Sequence, residues 1–227
     1  MFHFNFANHQ ITVTEKKDGS FRQLAEIKNF VKKQADKPIC YFHHQHQAHR
    51  FHLTNLAQLK QEIWADSVIT NQDVNLCMTV ADCFPVILYE PEKKISAMMH
   101  CGWKPLLQNI IELTILDMKL NFACQPAKML AWIGPGIHSC CYKFKQKPLQ
   151  NLLVDWQPFI QQNKNQEWEI DLAAYIHQQL LNLGIRAGSI EKITKCTSCS
   201  PSLYSYFQAK QRLEVNGRLV INIRQKG

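Results

Sequence analysis

Cys83 and His100 are the residues whose types and setting most readily suggest chemistry. Each stands at the end of a short apolar run. The first run, Phe84-Pro-Val-Ile-Leu-Tyr89, and the second, Ile95-Ser-Ala-Met-Met99, are joined by the charged turn Glu90-Pro-Glu-Lys-Lys94. Val86, Ile87 and Leu88, then Ile95, Ala97 and Met99, predict two buried strands folded back on each other. Such a hairpin brings Cys83 and His100 together at one end. A thiolate beside an imidazole suits either a metal ion or a nucleophile–base pair. Cys101-Gly-Trp103 then reads as the opening of a helix whose first N–H groups point back to the same place.

The other candidates fall in three segments. His43-His-Gln-His-Gln-Ala-His-Arg-Phe-His52 holds five of the ten histidines. Read as an extended segment, it places His49 on the apolar face of Phe51 and Leu53, and His44, His46 and His52 on the other. Gly134-Pro-Gly136, after the strand-like Lys128-Met-Leu-Ala-Trp-Ile133, allows either close backbone approach to a ligand or a tight turn. Cys140 and Cys141 read as buried, inert thiols, because neighbouring cysteines do not easily chelate one metal. Cys196-Thr-Ser-Cys199 is a lone C-x-x-C, so neither a zinc knot nor a redox pair is expected of it.

The elements that must position these residues follow from periodicity. Residues 1–20 predict short strands. Leu24, Ile27, Phe30 and Val31 predict a helix over 22–33. A short helix is expected over 55–63, an apolar helix over 106–120 with Leu106, Ile110, Leu113, Leu116 and Leu120 inward, and a helix over 148–161. Asp171 and Gly184 bracket a further helix. Ile190–Thr194 predicts a strand, and Asn216-Gly217 turns a closing hairpin over 213–223.

The 227 residues are 46% hydrophobic, enough for one sizeable core. No apolar run reaches the length of a membrane span, and the first ten residues lack the pattern of a signal peptide. Nine cysteines, an odd number in a long chain, argue for reduced thiols and a cytoplasmic setting rather than a disulfide framework. A formal net charge of +8 fits solubility or an anionic substrate. Its lysines and arginines are scattered, which makes nucleic acid the weaker reading.

Several motifs occur in a telling order. They are Gln47-Ala-His49, Ala81-Asp-Cys-Phe-Pro-Val86, Met99-His-Cys-Gly-Trp103, Ile133-Gly-Pro-Gly-Ile137 with Cys141-Tyr142, Cys196-Thr197, Tyr204-Ser-Tyr206 and Gly217-Arg218. Together they resemble the laccase-domain family, described first as multicopper polyphenol oxidoreductases and later as purine nucleoside phosphorylases. The resemblance covers roughly residues 40–224. It implies a single-domain layered α/β fold over 1–227, with mixed β-sheets and flanking helices and an N-terminus shorter than usual. It also implies a cytosolic enzyme that phosphorolyses adenosine, inosine, guanosine or methylthioadenosine, or deaminates adenosine.

The family's metal site has two histidines and one cysteine. The cysteine falls on Cys83 and the second histidine on His100. The first falls on His49, with His46 as the fallback. Zinc is the implied metal and copper the alternative. Such a set leaves one coordination position open, as in catalytic zinc sites. Lys104 and Arg218 are the candidates for binding phosphate, and Asp82 for orienting a ligand. Where the family has G-W-R-G this chain has Gly102-Trp-Lys-Pro105. Where it has F-F-S-Y-R-R this chain has Leu203-Tyr-Ser-Tyr-Phe-Gln208, without the two arginines. Other readings stay open: a cysteine hydrolase or amidase using Cys83 and His100, a copper-dependent polyphenol oxidase, and a non-catalytic paralogue.

Overall fold

The computed structural model describes residues 1–33, 37–212 and 216–225. In chain order the strands are β1 (Phe2–Phe6), β2 (His9–Val13), β3 (Ile39–His43), β4 (Arg50–Leu53), β5 (Ile63–Trp64), β6 (Ser67–Thr70), β7 (Asn75–Val80) and β8 (Phe84–Glu90). They continue with β9 (Ile95–Cys101), β10 (Leu130–Ile133), β11 (Lys143–Phe144), β12 (Ile160–Gln162), β13 (Trp168–Ile170), β14 (Ile190–Lys192) and β15 (Leu219–Gln225). The α-helices are α1 (Leu24–Lys32), α2 (Trp103–Leu107), α3 (Ile110–Phe122), α4 (Leu172–Asn182) and α5 (Tyr206–Arg212).

The strands form two six-stranded sheets, β1-β2-β15-β7-β3-β5 and β14-β10-β8-β9-β6-β4, and a small sheet β11-β13-β12. Both large sheets are mixed. Strand β3 runs parallel to β7 and β5, β4 to β6, and β14 to β10, while their other pairings are antiparallel. This is the expected α/β class with mixed sheets. One core lies between the large sheets, built from side chains such as Phe6, Phe42, Met78, Ile87, Met98, Trp132 and Ile221. A second lies between the other face of the β8–β9 sheet and helices α3 and α4, with Val86, Leu88, Ala97, Met99, Ile115 and Ile176. Helix α1 covers the far face of the first sheet over Cys77 and Val220. Strands β8 and β9 are therefore buried along all seven residues of each, which explains why they read as continuous apolar runs rather than alternating ones.

Several expected elements shift. The apolar helix over 106–120 is two helices. Asn109 adopts a left-handed backbone (φ 58°) between α2 and α3 and resets the phase. Ile111, Thr114, Ile115 and Met118 then face inward, while Leu116 and Leu120 face water. Residues 148–161 form two 3₁₀ turns and the start of β12 rather than a helix. Asp171 caps α4 as expected, its Oδ1 accepting the Ala174 N–H at 2.9 Å. Gly184 follows that helix with φ 94°. The first arm of the expected closing hairpin falls on residues 213–215, outside the described residues. Its second arm is β15, which runs between β2 and β7. Gly134 and Gly136 serve packing. A Cβ on Gly136 would stand 2.6 Å from the Phe84 ring, and one on Gly134 2.5 Å from Pro85 and Trp132. Among the described residues no helix is long and apolar enough to cross a membrane.

The inter-sheet core includes one titratable group whose state bears on stability. His9 is buried, meets the Ser96 hydroxyl at 3.2 Å and lies edge-on to Tyr89. Burial, helped by Lys37, lowers its pKa to about 4 from the usual 6.5. Below pH 6.5 the unfolded chain takes up a proton that the folded chain refuses until about pH 4. Stability therefore falls as pH drops through that window. The His9 contribution lost between pH 7.5 and pH 5 is about 2 kcal/mol. Denaturant unfolding of the protein and of His9→Gln at both pH values measures it; the variant is expected to show a correspondingly shallower loss.

Candidate active site

Antiparallel pairing of β8 with β9 sets Pro85 opposite His100 and Phe84 opposite Cys101. Residues directly opposite share a face, and so do residues two apart along a strand. Cys83, two positions before Pro85, thus emerges on the face of His100. The sulfur lies close enough to the imidazole to raise its pKa. Gly102 makes room for it: a Cβ there would lie 2.7 Å from the Cys83 sulfur and 3.6 Å from His100 Cε1.

The histidine-rich segment supplies the third side of the site. Strand β3 ends at His43 in the first sheet and β4 begins at Arg50 in the second. Residues 44–49 cross between them and are not extended; His46 and Ala48 have φ of 59° and 53°. This bend turns His44 and His46 toward His100, and the ligating nitrogens of the three rings lie within 4.8 Å of one another. The His44 ring stacks on His100 at 4.1 Å, and His46 stands edge-on to both. The structure does not bring His49 to this group. His49 is exposed, with Nδ1 2.5 Å from Gln45 Oε1. The alternation that placed it inward presumes a straight strand, and the left-handed residues before it break that alternation.

Asp66, not singled out in the sequence, holds the arrangement. Its carboxylate is fully buried. It accepts the His46 N–H at 2.8 Å, the Gln47 N–H at 2.9 Å and the His100 Nδ1–H at 3.2 Å. Burial alone would raise its pKa, but these hydrogen bonds bring it down to about 2. Burial pulls the His100 pKa down in turn, yet the Cys83 sulfur and Asp66 outweigh it and raise the value to about 9. With Nδ1 committed to Asp66, His100 has Nε2 free for a ligand. His44 is kept neutral: burial, then its two histidine neighbours, lower its pKa to about 3. Its Nε2 meets the Thr79 carbonyl at 3.2 Å, while its buried Nδ1 has no protein partner.

These groups sit at the end of a cleft of about 460 Å³ between the sheets and the C-terminal segment. Trp103, Tyr142, Phe144, Tyr206 and Phe207 line it, and so do Lys104 and Arg218. Arg218 lies over the Tyr206 ring and donates to Asn216 Oδ1 and the Gly217 carbonyl. Burial and the nearby Arg22 lower its pKa. Lys104 is exposed, 5.5 Å over Trp103. Asp82 also borders the cleft, but its carboxylate points to the C-terminal segment. Oδ1 accepts the Thr197 hydroxyl at 2.6 Å and Oδ2 the Phe207 N–H at 2.7 Å, at the start of α5. Asp82 thus orients the cleft wall.

A second group of candidate ligands was not expected from the sequence. The Cys196–Cys199 pair does find a second half, Cys140 and Cys141, and all four sulfurs lie within 4.8 Å of one another. Cys140 and Cys199 are exposed and Cys141 is half-buried, so burial does not make these thiols inert.

Comparison with known proteins adds the following. The model of the family described as multi-copper polyphenol oxidoreductase laccase matches residues 3–226. A purine nucleoside phosphorylase of Clostridium acetobutylicum is 29% identical over 178 residues, 76% of this chain and 72% of that protein. The purine nucleoside phosphorylase YlmD of Bacillus subtilis is 27% identical over 143 residues, 61% of this chain and 51% of that protein. The chain thus spans about half the length of this second relative. YlmD from Geobacillus stearothermophilus, a crystal structure, superposes with a TM-score of 0.82 at 20% identity, covering 98% of this chain and 93% of that one. At that identity the likeness establishes the fold.

Asp66→Asn replaces a carboxylate that accepts three hydrogen bonds with an amide that cannot accept them all. The expected cost is about 2–3 kcal/mol of stability, as for a charged acceptor lost from buried donors. Amide hydrogen exchange at His46 and Gln47 should accelerate relative to the β8–β9 hairpin. Unchanged exchange at both positions would contradict the role assigned to Asp66.

Proposed function

The chain belongs to the multi-copper polyphenol oxidoreductase laccase family, and on that premise we propose that the cleft is the active site of a zinc-dependent purine nucleoside phosphorylase. The observation that carries this is the convergence of His44, His46 and His100, with Cys83 lining the same end of an aromatic cleft that Arg218 and Lys104 also border. Relatives named purine nucleoside phosphorylase support the substrate class. Nine cysteines without a disulfide fit a cytoplasmic enzyme.

Two imidazoles and a thiolate suit zinc and leave a fourth position open. The buried, unpartnered Nδ1 of His44 is an independent sign that a ligand completes this place. We assign the metal to His46, Cys83 and His100, with His46 in the place expected of His49. His44 stacks parallel to His100 and already uses Nε2, so its Nδ1 is the acceptor for a substrate hydroxyl. Zinc bound there supplies a Lewis acid for a substrate oxygen or a water molecule.

The chain's own groups do the rest. The aromatic wall takes the purine ring by stacking and excludes water. Arg218, with Arg22 close by, holds the phosphate that attacks the anomeric carbon of the ribose while the bond to the base breaks. Lys104 extends this cradle from the start of α2, and the two cations stand in for the arginines missing after Tyr206. Asp66 keeps His100 in one tautomer and His46 in its bend. Adenosine deamination is the companion reaction of the same cleft. Among the described residues histidines converge in one group of three only, which favours zinc over the several copper sites of a polyphenol oxidase.

One observation favours a second reading. Asp66 orients His100, and Cys83 lines the cleft beside His100, which is also the order of a Cys-His-Asp hydrolase. Metal removal separates the two. In the phosphorylase, chelation abolishes turnover of adenosine or inosine, zinc restores it, and release of the base from inosine requires phosphate. A hydrolase works without metal.

Protein purified without a metal-affinity tag and assayed against a nucleoside panel provides the test. His46→Ala and Cys83→Ala are each expected to lose the cleft metal and at least about a hundredfold in turnover, as for loss of a metal ligand. His49→Ala should keep both. Loss of metal in His49→Ala with retention in His46→Ala would reverse the assignment. Arg218→Ala should raise the KM for phosphate by roughly tenfold or more, the effect of losing a charged hydrogen bond worth about 1.5–3 kcal/mol.

A further inference from the structure

We infer that Cys140, Cys141, Cys196 and Cys199 form a second, structural metal site that binds zinc and fixes the outer wall of the cleft. The four sulfurs all lie within 4.8 Å of one another. The Cys141–Cys199, Cys140–Cys199 and Cys140–Cys141 separations are 3.1, 3.4 and 3.9 Å. Four sulfurs about 2.3 Å from a tetrahedral zinc would stand about 3.8 Å apart. The cluster needs only small adjustments to enclose an ion. A disulfide accounts for it less well. Cys199 is near both Cys140 and Cys141, so the sulfurs form one cluster rather than two separate pairs, as a central ion requires.

The surroundings suit a closed tetrathiolate site. The His138 N–H donates to the Cys196 sulfur at 3.4 Å, the kind of contact that stabilises a thiolate ligand. Cys196 is itself anchored: it bridges to Gly136, and the Thr197 N–H donates to the Gly136 carbonyl at 2.9 Å. Lys16, Lys143 and Arg212 line the depression beside the sulfurs against one carboxylate, Glu167, a cationic balance that suits the net negative charge of zinc with four thiolates. Zinc would displace the thiol protons to solvent on binding. Among the described residues no carboxylate or imidazole joins the group, and four sulfurs fill a tetrahedral zinc's positions, which marks a structural site rather than a catalytic one.

The position gives the ion its function. Cys141 precedes Tyr142, and Cys196 precedes Thr197. Tyr142 packs against Phe207 at 5.8 Å, both line the cleft, and Thr197 donates to Asp82. A single ion would therefore staple the loop after β10, which carries Tyr142, to the turn that leads into α5, which carries Phe207. It lies outside the His46, Cys83 and His100 site and does not depend on the function proposed for it.

Counting zinc in untagged protein tests both sites at once. Two zinc ions per chain are expected, one after Cys83→Ala, one after Cys199→Ser, and none after both changes. If only the cysteine site binds metal, the protein holds one ion, kept in Cys83→Ala and lost in Cys199→Ser. A single ion that Cys83→Ala removes and Cys199→Ser keeps would overturn the inference. So would seven or five rather than nine titratable thiols in denatured, unreduced wild-type protein, since that means one or two disulfides. Should Cys199→Ser fail to fold, cobalt loaded into Cys83→Ala decides the matter: an intense tetrahedral, thiolate-rich spectrum supports the site, and its absence overturns it.

Discussion

A buried carboxylate joins the parts of this protein that matter most. Asp66 stands where β6 begins, beside β9 in the second sheet, and accepts hydrogen bonds from the His46 and Gln47 amides and from His100. A carboxylate excluded from water is unfavourable unless its oxygens are well occupied. Here the cost of burying it is offset only when the histidine loop bends back over β9. That condition couples the shape of the loop to the orientation of His100. The same strand reinforces the coupling through the backbone, because the His100 N–H donates to the Asp66 carbonyl at 2.8 Å.

The two-sheet architecture explains why the site lies where it does. Strands β8 and β9 fill the middle of the second sheet and are packed on both faces, so the end of their hairpin has little freedom to move. The first sheet contributes through β3, next to its edge strand β5, and the continuation of β3 carries His44 and His46 across the gap. The C-terminal segment closes the opposite side, held by Asp82 through Thr197 and the start of α5. Residues from distant parts of the chain thus meet at one cleft. Rigid strands fix the Cys83–His100 pair, and loops supply the aromatic and cationic lining, a division common in enzyme sites.

Charge is distributed in keeping with that division. The overall excess of cations is spread over the surface, but Arg218 is partly buried at the cleft, where it interacts more strongly with an anion than an exposed residue could. The four clustered cysteines stand on the far side of the Phe207 wall, which borders both depressions. One wall thus separates a place suited to chemistry from a place suited to holding structure together.

The sequence by itself determined the elements that depend on local pattern. The apolar runs around Glu90–Lys94 specify the β8–β9 hairpin, and alternation along its strands sets Cys83 and His100 on one face. The cap at Asp171 and the periodicity of residues 24–31 likewise mark α4 and α1. The family motifs carried the fold class and the substrate expectation. Only the tertiary structure decided which histidine joins His100, because that depends on a bend at His46 and Ala48 imposed by Asp66 twenty residues later. It also decided that α3 turns Leu116 and Leu120 to water, since a left-handed Asn109 shifts the helix phase. And it brought Cys140 and Cys141 to Cys196 and Cys199, across more than fifty residues. Contacts of that range leave no periodic trace in either segment; they follow from how the sheets pack, where each buried polar group must find its partner.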